Sequence, residues 1–466
     1  MSRRAARVLV FATVVLAWPR TGAGQVAPSS FRGSVPTGEA VSTDLAISLK
    51  DALAHALQFN LGVIESEQQS RAARAVRLRS LSALLPDLSA RVSATRQTVN
   101  LQASGLRLNI PGVVVPIVVG PFSVTDARGY ATQEIFNWSS IKGWKAAAEA
   151  EKASGYSYQS ARDLVVYTTA NAYLLVISDE ATVETTRAQL KTAQALHERT
   201  VDQNKAGVVA AIDALRARVE LQNQQQRLIA AENQLAVDKL GLARVIGLPK
   251  GQAFHVSDAV PYAPLNGTGL EEALQQAYAN RPDYLAAQAQ VRAAEQAREA
   301  AAAEYYPSLA ASGSYGAIGS PNFGNAHDTY SVGVAANIPV FPGTRVKADK
   351  LQADATLQLR RAELADLDGR IDEQVRTAFF NLRSSSEQVA VAESNRGLAA
   401  ETLTQAQERF AAGVADNLEV VQAQESVAAS NQSYIAALYA HNLAKVSLVL
   451  AMGMAEKSAP AYLGAK

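Results

Sequence analysis

The chain contains no cysteine among its 466 residues. This absence excludes a disulfide framework, a cysteine nucleophile, a thiolate metal site and a lipid-modified N-terminal cysteine. Aromatic residues make up only 6% and charged residues 19%, and the net charge is +1. So small a net charge gives no general attraction for nucleic acid or for an anionic membrane. The abundant alanine is typical of long helices packed closely through small side chains.

Long apolar runs are also scarce. Three arginines (3, 4 and 7) precede an apolar stretch of 11 residues, Val8–Trp18, which is too short to span a bilayer. Small residues at 22–24 follow, so the sequence predicts a signal peptide over 1–24; a buried N-terminal strand or helix is the alternative. No later apolar run reaches about 18 residues, so we expect no membrane-spanning helix in the mature chain.

The chain carries an internal duplication. Position 49 aligns with 270 and position 86 with 307, an offset of 221; glycines 207 and 247 align with glycines 413 and 453, an offset of 206. An ordered series of such matches indicates two copies of one design. We predict an N-terminal extended segment over 25–47, a first repeat over 48–262, a second over 263–455 and a C-terminal tail over 456–466.

Each repeat shows the same predicted order of elements. An amphipathic helix, over 48–83 and 269–304, is ended by a proline at 86 or 307. A strand–loop–strand section follows, with loops predicted over 104–121 and 316–328 from their glycine, proline and asparagine. Two long helices separated by a glycine turn complete the repeat.

The predicted strands alternate with period two. Tyr330, Val332 and Val334 share one face of a strand, whereas Ser331 and Gly333 share the other. One apolar and one polar or small face suits a sheet with lipid outside and water inside. Alternation alone also fits an ordinary half-buried antiparallel sheet.

The long helices show a seven-residue beat, in the stripes Leu221/Leu228/Leu235/Leu242, Ala181/Ala188/Ala195 and Ala392/Ala399/Ala406. Such a stripe predicts helices that supercoil along a narrow seam. The segment 140–204 alone gives about 100 Å of helix. Helices of that length indicate a rod or a tube. Four strands cannot close a membrane barrel, so several chains must contribute, and three copies would supply twelve strands.

The chain resembles the TolC-like outer-membrane efflux protein (OEP) family over nearly all of its mature length. The duplicated element order carries the resemblance, together with the strand-to-helix junctions 135–137 and 338–343. The strongest match is the run 409–424, RFAAGVADNLEVVQAQ, which has the family's RF, GV, Leu-Glu-Val and Ala-Gln elements. A weaker copy lies at 206–215.

The resemblance implies a mainly α fold with a small β part. Long coiled-coil helices form a periplasmic α-barrel, and four strands per chain contribute to a trimeric, 12-stranded outer-membrane β-barrel. It also implies the function: a passive exit duct of a tripartite efflux or type I secretion system, gated at the periplasmic tip. The implied partners are two further copies, a periplasmic adaptor (membrane fusion protein), an inner-membrane pump and outer-membrane lipid, with no cofactor and no nucleic acid. Drugs, metals, metabolites and polypeptides all stay open as cargo.

The same resemblance assigns candidate site residues. Gly207 and Gly413 are the predicted tip turns; the gate candidates are Asp213, Glu419, Asp416 and Gln422; the adaptor-contact candidates are Val208, Val209, Val414 and Ala415. Each has a plainer alternative. The carboxylates also fit the first turn of a helix, where they interact favourably with the N-terminal partial charge, and Asp416 fits a helix cap. The apolar tip residues also fit packing between neighbouring subunits.

Two other classes of protein were considered. The five histidines are scattered without metal-ligand spacing, and no phosphate-binding loop or nucleophile elbow occurs, so we expect no enzyme. A periplasmic coiled-coil adaptor or structural protein would explain the heptads. It would not explain duplicated alternating strands between long helices.

Overall fold

The protein is described by a computed structural model over residues 31, 33–36, 38–103, 105, 116–258, 262, 269–414 and 417–463. The predicted signal peptide, 1–24, lies outside these residues. The helices are α1 Leu49–Phe59, α2 Leu61–Ser82, α3 Trp138–Lys205, α4 Ala211–Ile246, α5 Leu270–Asn280, α6 Pro282–Ala303, α7 Arg345–Ala411, α8 Asn417–Ala451 and α9 Ala455–Tyr462. The strands are β1 Leu45–Ile47, β2 Asp87–Asn100, β3 Val118–Phe136, β4 Phe254–Val256, β5 Ser308–Gly319 and β6 His327–Asn337.

Both halves follow one order of elements: two short helices, two strands and two long helices. The single helices predicted over 48–83 and 269–304 were wrong, because each is two helices. Asn60 has φ −68° and ψ 132°, and its side chain caps α2 by accepting from the Gly62 N–H. Arg281 has φ −61° and ψ 116° because it precedes Pro282, which disfavours helical geometry in that residue.

The four longer strands form one antiparallel sheet in the order β2-β3-β5-β6. Strand β3 begins at Val118 and β5 continues to Gly319, so the predicted loops 104–121 and 316–328 were too long. A 3-10 turn, Pro321–Phe323, joins β5 to β6. The loops were predicted from glycine, proline and small residues. These residues also occur within this sheet, where neighbouring backbones lie close together, so they did not mark the ends of the strands.

The strand register makes both faces of this sheet continuous. One row runs Leu88–Ala131–Gly313–Val332, and a row three residues along, on the opposite face, runs Arg91–Arg128–Gly316–Thr329. Leu88 is 75% and Val332 82% exposed in the single chain. The predicted alternation therefore produces one apolar face without cover and one polar face, across all four strands.

The long helices lie side by side over most of the molecule. Helix α3 has 68 residues and α7 has 67, which corresponds to about 100 Å each. Helix α3 packs along α4, α6 and α8, and α7 packs along α8 and α6. The stripe Ala392/Ala399/Ala406 is buried as a seam requires, and the leucine stripe of α4 is half-buried or buried.

The predicted alanine stripe of α3 was wrong in phase. Ala188 and Ala195 are exposed, whereas Thr186, Ala193 and Thr200 are buried with the same seven-residue spacing. The Thr186 and Thr200 hydroxyls donate to the carbonyls of the residues four positions earlier, at 2.8 and 2.7 Å. Because these bonds satisfy the hydroxyls, threonine is tolerated on the buried side.

The main core lies where the short helices pack on the middle of the long ones. Leu49, Val165, Leu242 and Ile246 are fully buried there. The core also contains a parallel pair of strands, β1 and β4, which the sequence did not reveal. The Tyr173 hydroxyl donates to the Ile47 carbonyl at 2.9 Å and so fixes β1 to α3.

Helix α9 lies in the segment assigned to the C-terminal tail. An ion pair of Arg162 with Glu456 at 2.6 Å holds it to α3. Helix α8 is long and apolar enough to cross a membrane by length and composition alone. Its most apolar window is 56% buried inside the protein, as expected for a core helix.

Two equivalent glycines, Gly247 and Gly453, end α4 and α8 with φ of 79° and 70°. An added Cβ would lie 2.7 Å from the Phe59 side chain at the first and 2.5 Å from the Arg281 backbone at the second. We expect Gly247→Ala and Gly453→Ala each to destabilise the protein by about 2 kcal/mol, through strain and overlap. Thermal unfolding followed by circular dichroism measures this. Gly369→Ala is the control, because nothing lies within 4 Å of its Cβ and φ is not positive; a loss there as large as at Gly247 would contradict the explanation.

Candidate gate at the helical tip

The turns between the long helices have the same geometry in both repeats. Gly207 and Gly413 have φ of 74° and 75°, a conformation that favours glycine. The Val208 N–H donates to the Gln203 carbonyl at 2.8 Å, and the Val414 N–H donates to the Arg409 carbonyl at 3.0 Å. These bonds satisfy carbonyls at the ends of α3 and α7.

The two turns lie at the same end of the molecule. The Asn417 amide, in the first turn of α8, donates to the Asp213 carbonyl in the first turn of α4 at 3.1 Å. A small apolar cluster, with Phe410 and Val420 at its centre, packs against Val209 from the other turn. Because α3 and α7 start at the sheet and end here, this tip is the end of the molecule far from the strands.

Two of the three acidic gate candidates, Asp213 and Glu419, are each paired within the chain. An Asp213 carboxylate oxygen lies 3.5 Å from the Arg216 guanidinium, and a Glu419 oxygen lies 3.5 Å from the Arg409 guanidinium. Both carboxylates lie in the first turn of a helix, where they also interact favourably with its N-terminal partial charge. The gate and helix-start interpretations are therefore compatible.

The structure places the other candidates as follows. Gln422 is exposed, and Val208 and Val414 are each 70% exposed. Val209 is only partly exposed, because its side chain packs against the apolar cluster of the tip. Asp416 and Ala415 lie outside the described residues.

Buried polar residues inside the helical bundle escaped the sequence analysis. Glu220, Gln224, Gln424 and Asn417 are all more than nine-tenths buried between the long helices. Their signal was present, since Asn417 and Gln424 are seven residues apart on one stripe of α8. A polar residue on such a stripe gives no sign in the sequence of whether it faces water or a neighbouring helix.

Two carboxyl groups, Asp179 of α3 and Asp238 of α4, lie next to each other farther from the tip. Burial, and the neighbouring Asp238 carboxyl, raise the pKa of Asp179 to about 7. Asp238 accepts from the Gln234 amide at 2.6 Å, and Lys239 pairs with Glu180 rather than with Asp179. Repulsion between the two carboxylates therefore opposes the packing of α3 on α4 once both are ionised.

No three histidine, aspartate or glutamate side chains come together as a metal-binding group within the described part of the chain.

Comparison with known proteins agrees with this architecture. A model of the family described as outer membrane efflux protein matches residues 52–248 and 273–454. The chain is 26% identical to OpmQ, the pyoverdine export outer membrane protein of Pseudomonas aeruginosa, over 79% of this chain and 77% of that protein. It is 24% identical to the outer membrane protein TolC of Escherichia coli, over 80% and 75%.

Solved structures show the same fold. The outer membrane protein VceC of Vibrio cholerae superposes with a TM-score of 0.73 at 20% identity, over 87% of this chain and 96% of that chain. The open state of the outer-membrane channel MtrE of Neisseria gonorrhoeae gives 0.72 at 19% identity, over 91% and 97%.

The chain has long paired helices that end in glycine turns and, at the opposite end, a half-exposed sheet. This architecture defines an outer-membrane channel that extends into the periplasm. The chain belongs to the outer-membrane efflux protein family. The predicted family, mainly α fold class, outer-membrane location and channel function are confirmed, and the adaptor alternative was wrong. Members of this family are channels, not enzymes, and they serve tripartite systems with an adaptor and an inner-membrane pump.

The raised pKa of Asp179 predicts a pH-dependent stability. Its folded carboxyl holds a proton that the unfolded one releases near pH 3.8, so the free energy of unfolding falls as pH rises from about 4 to 7. Asp179→Asn removes this loss. The variant's gain in free energy of unfolding over the parent protein should therefore be about 1 kcal/mol larger at pH 8 than at pH 4.5, a value reduced for partial exposure. Thermal unfolding at the two pH values measures this, with Asp366→Asn, an exposed carboxyl, as the control. An equal effect of Asp179→Asn at both pH values would contradict the repulsion.

Proposed function

We propose that three copies of this chain close one 12-stranded barrel in the outer membrane and continue it as a helical tunnel in the periplasm. The observation that carries the proposal is the four-stranded sheet. Its edge strands, β2 and β6, each have one side without a partner strand in the described chain. Unpaired backbone groups at a sheet edge cannot lie in lipid. Pairing β6 of one copy with β2 of the next satisfies these groups and closes the barrel.

The two faces of the sheet support the same arrangement. The apolar row Leu88–Ala131–Gly313–Val332 would contact lipid, and the row on the opposite face with Arg91, Arg128 and Thr329 would line the lumen. The Arg128 guanidinium donates to the Thr329 hydroxyl at 2.9 Å across β5, which keeps its charge on that face. Tyr130 would also face the lumen, because it pairs with Ser89 and Ser314 on that face.

Apolar side chains along the long helices support the trimeric tunnel. Ile212, Val219 and Leu240 on α4, and Val391 and Leu398 on α7, are all more than half exposed in the single chain. Exposed apolar residues spread along about 40 Å of a helix indicate a protein contact surface. Neighbouring copies would cover them and form a wall that is sealed against the periplasm.

At the tip, Asp213 and Glu419 would constrict the entrance, with Asp416 and Gln422 as further candidates. Three copies bring six of the first two carboxylates to one opening, which focuses negative potential and favours cations. The ion pairs with Arg216 and Arg409 hold both side chains in place. Val208 and Val414, exposed beside the tip glycines, would receive the adaptor together with Ala415 and the backbone around Val209.

The lipid-facing row gives a direct test of the barrel. Val332→Arg places a charge on the apolar face, at a cost of about 2–4 kcal/mol near the bilayer midplane. We expect much less assembled trimer in outer membranes, measured by semi-native electrophoresis of membrane extracts. Ser331→Arg, on the next residue and the opposite face, is the matched control and should assemble normally. Equal assembly of both variants would contradict the proposed orientation, and a wild-type monomer soluble without detergent would contradict the channel.

The gate is tested by removing its charges. We expect Asp213→Ala with Glu419→Ala to raise single-channel conductance in planar bilayers several-fold or to lower the cation preference, because the focused negative potential and the restraining ion pairs are lost. Glu363→Ala with Asp366→Ala removes the same charge from the middle of α7 and serves as the control. Unchanged current and selectivity in the tip variant would remove both residues from the gate.

A further inference from the structure

A partly open cavity of about 150 Å³ with both apolar and polar lining residues lies within the bundle of long helices, close to the tip. All four long helices line it: α3 with Thr192, α4 with Glu220 and Gln224, α7 with Leu403, and α8 with Gln424 and Asn431 among others. Glu220 lies nine residues into α4 and Gln424 seven residues into α8, about 10–14 Å above the tip turns. The cavity belongs to one chain and needs no neighbouring copy.

Charge inside this cavity is not balanced. Glu220 is only 3% exposed, and the Gln224 amide donates to its Oε1 at 2.7 Å. The neighbouring Glu425 carboxylate accepts two bonds from Arg227, at 2.8 and 2.9 Å. Arg227 is therefore occupied by Glu425, and the buried Glu220 carboxylate needs a proton or a cation.

The amide oxygens distinguish a cation from a proton. Gln224 Oε1 and both amide atoms of Gln424 have no hydrogen-bond partner, although the two side chains are 2% and 7% exposed. Buried amides without partners are costly, so something should satisfy them. A proton on Glu220 would supply one O–H donor, which can satisfy at most one of these two amide oxygens. A cation at the centre would bind the carboxylate and the amide oxygens together.

We propose that this cavity binds a hard, oxygen-seeking cation, with Ca²⁺ as the member that fits best. Its ligands would be the Glu220 carboxylate and the side-chain oxygens of Gln224 and Gln424, with water in the remaining positions. Ca²⁺ accepts carboxylate, amide carbonyl and water oxygens in flexible numbers, whereas Mg²⁺ requires near-ideal octahedral geometry. Glu220 is the one carboxylate in this ligand set, which is consistent with the lack of a three-residue acidic group in the described chain. The ion would tie α4 to α8 just above the tip.

The test is Ca²⁺ binding to the full-length channel, purified in detergent and stripped with EDTA. Equilibrium dialysis with radioactive calcium should give one saturable site per chain in a background of Asp213→Ala with Glu419→Ala, which removes the tip carboxylates. Glu220→Gln and Gln424→Leu should each weaken binding at least tenfold. Glu232→Gln, an exposed carboxyl of α4 paired with Arg187, should bind as the parent does.

Thermal unfolding separates a binding site from a merely structural role. In EDTA, Glu220→Gln and Gln424→Leu should unfold at the parent temperature or above, because they remove a buried charge and an unpartnered amide. Added Ca²⁺ should raise the unfolding temperature of the parent and not of these variants. The absence of saturable binding in the parent, or unchanged binding in Glu220→Gln, would overturn the proposal and leave the cavity to water. None of these outcomes depends on whether the protein forms pores.

Discussion

The hydrogen bonding of sheet edges is the constraint on which the rest of the structure depends. One chain supplies four strands, and a sheet of four has two open edges. In water such edges are tolerated, but a sheet with an uncovered apolar face is built for lipid, where they are not. In the proposed trimer, further copies of the chain would pair with these edges. The long helices would then stand side by side below the barrel, and neighbouring copies would cover their exposed apolar stripes.

The helical part uses two kinds of contact. Within the α3–α4 and α7–α8 pairs, buried small residues bring the backbones close, as Ala392 and Ala399 do on α7. Between the pairs, near the tip, the buried side chains include Glu220, Gln224 and Gln424. A polar contact between helix pairs specifies their register but contributes less stability than an apolar one. The less stabilising polar contacts therefore lie next to the tip, which is the end of the molecule proposed to carry the gate.

The two repeats are alike in backbone and different in side-chain chemistry. The glycine turns and the breaks between the short helices recur, although Asn60 makes one break and Pro282 the other. The buried polar groups do not recur: the partner of Glu220 in the second repeat, at the offset of 206, is Ser426. Duplication therefore supplied the scaffold, and later divergence supplied the residues that distinguish one helix pair from the other.

The sequence by itself determined several features that depend on local periodicity or on a special backbone angle. The alternation in β6, the seven-residue stripes of α7, and the glycines at 207 and 413 could be recognised because each acts over a few neighbouring residues. Only the tertiary structure decided which of two heptad stripes on α3 is buried and that Val209 packs partly against the apolar cluster of the tip. It alone brought Glu220 and Gln424 to one cavity. Those outcomes depend on contacts between residues about 200 positions apart, and a single helix carries no information about which neighbour it will meet.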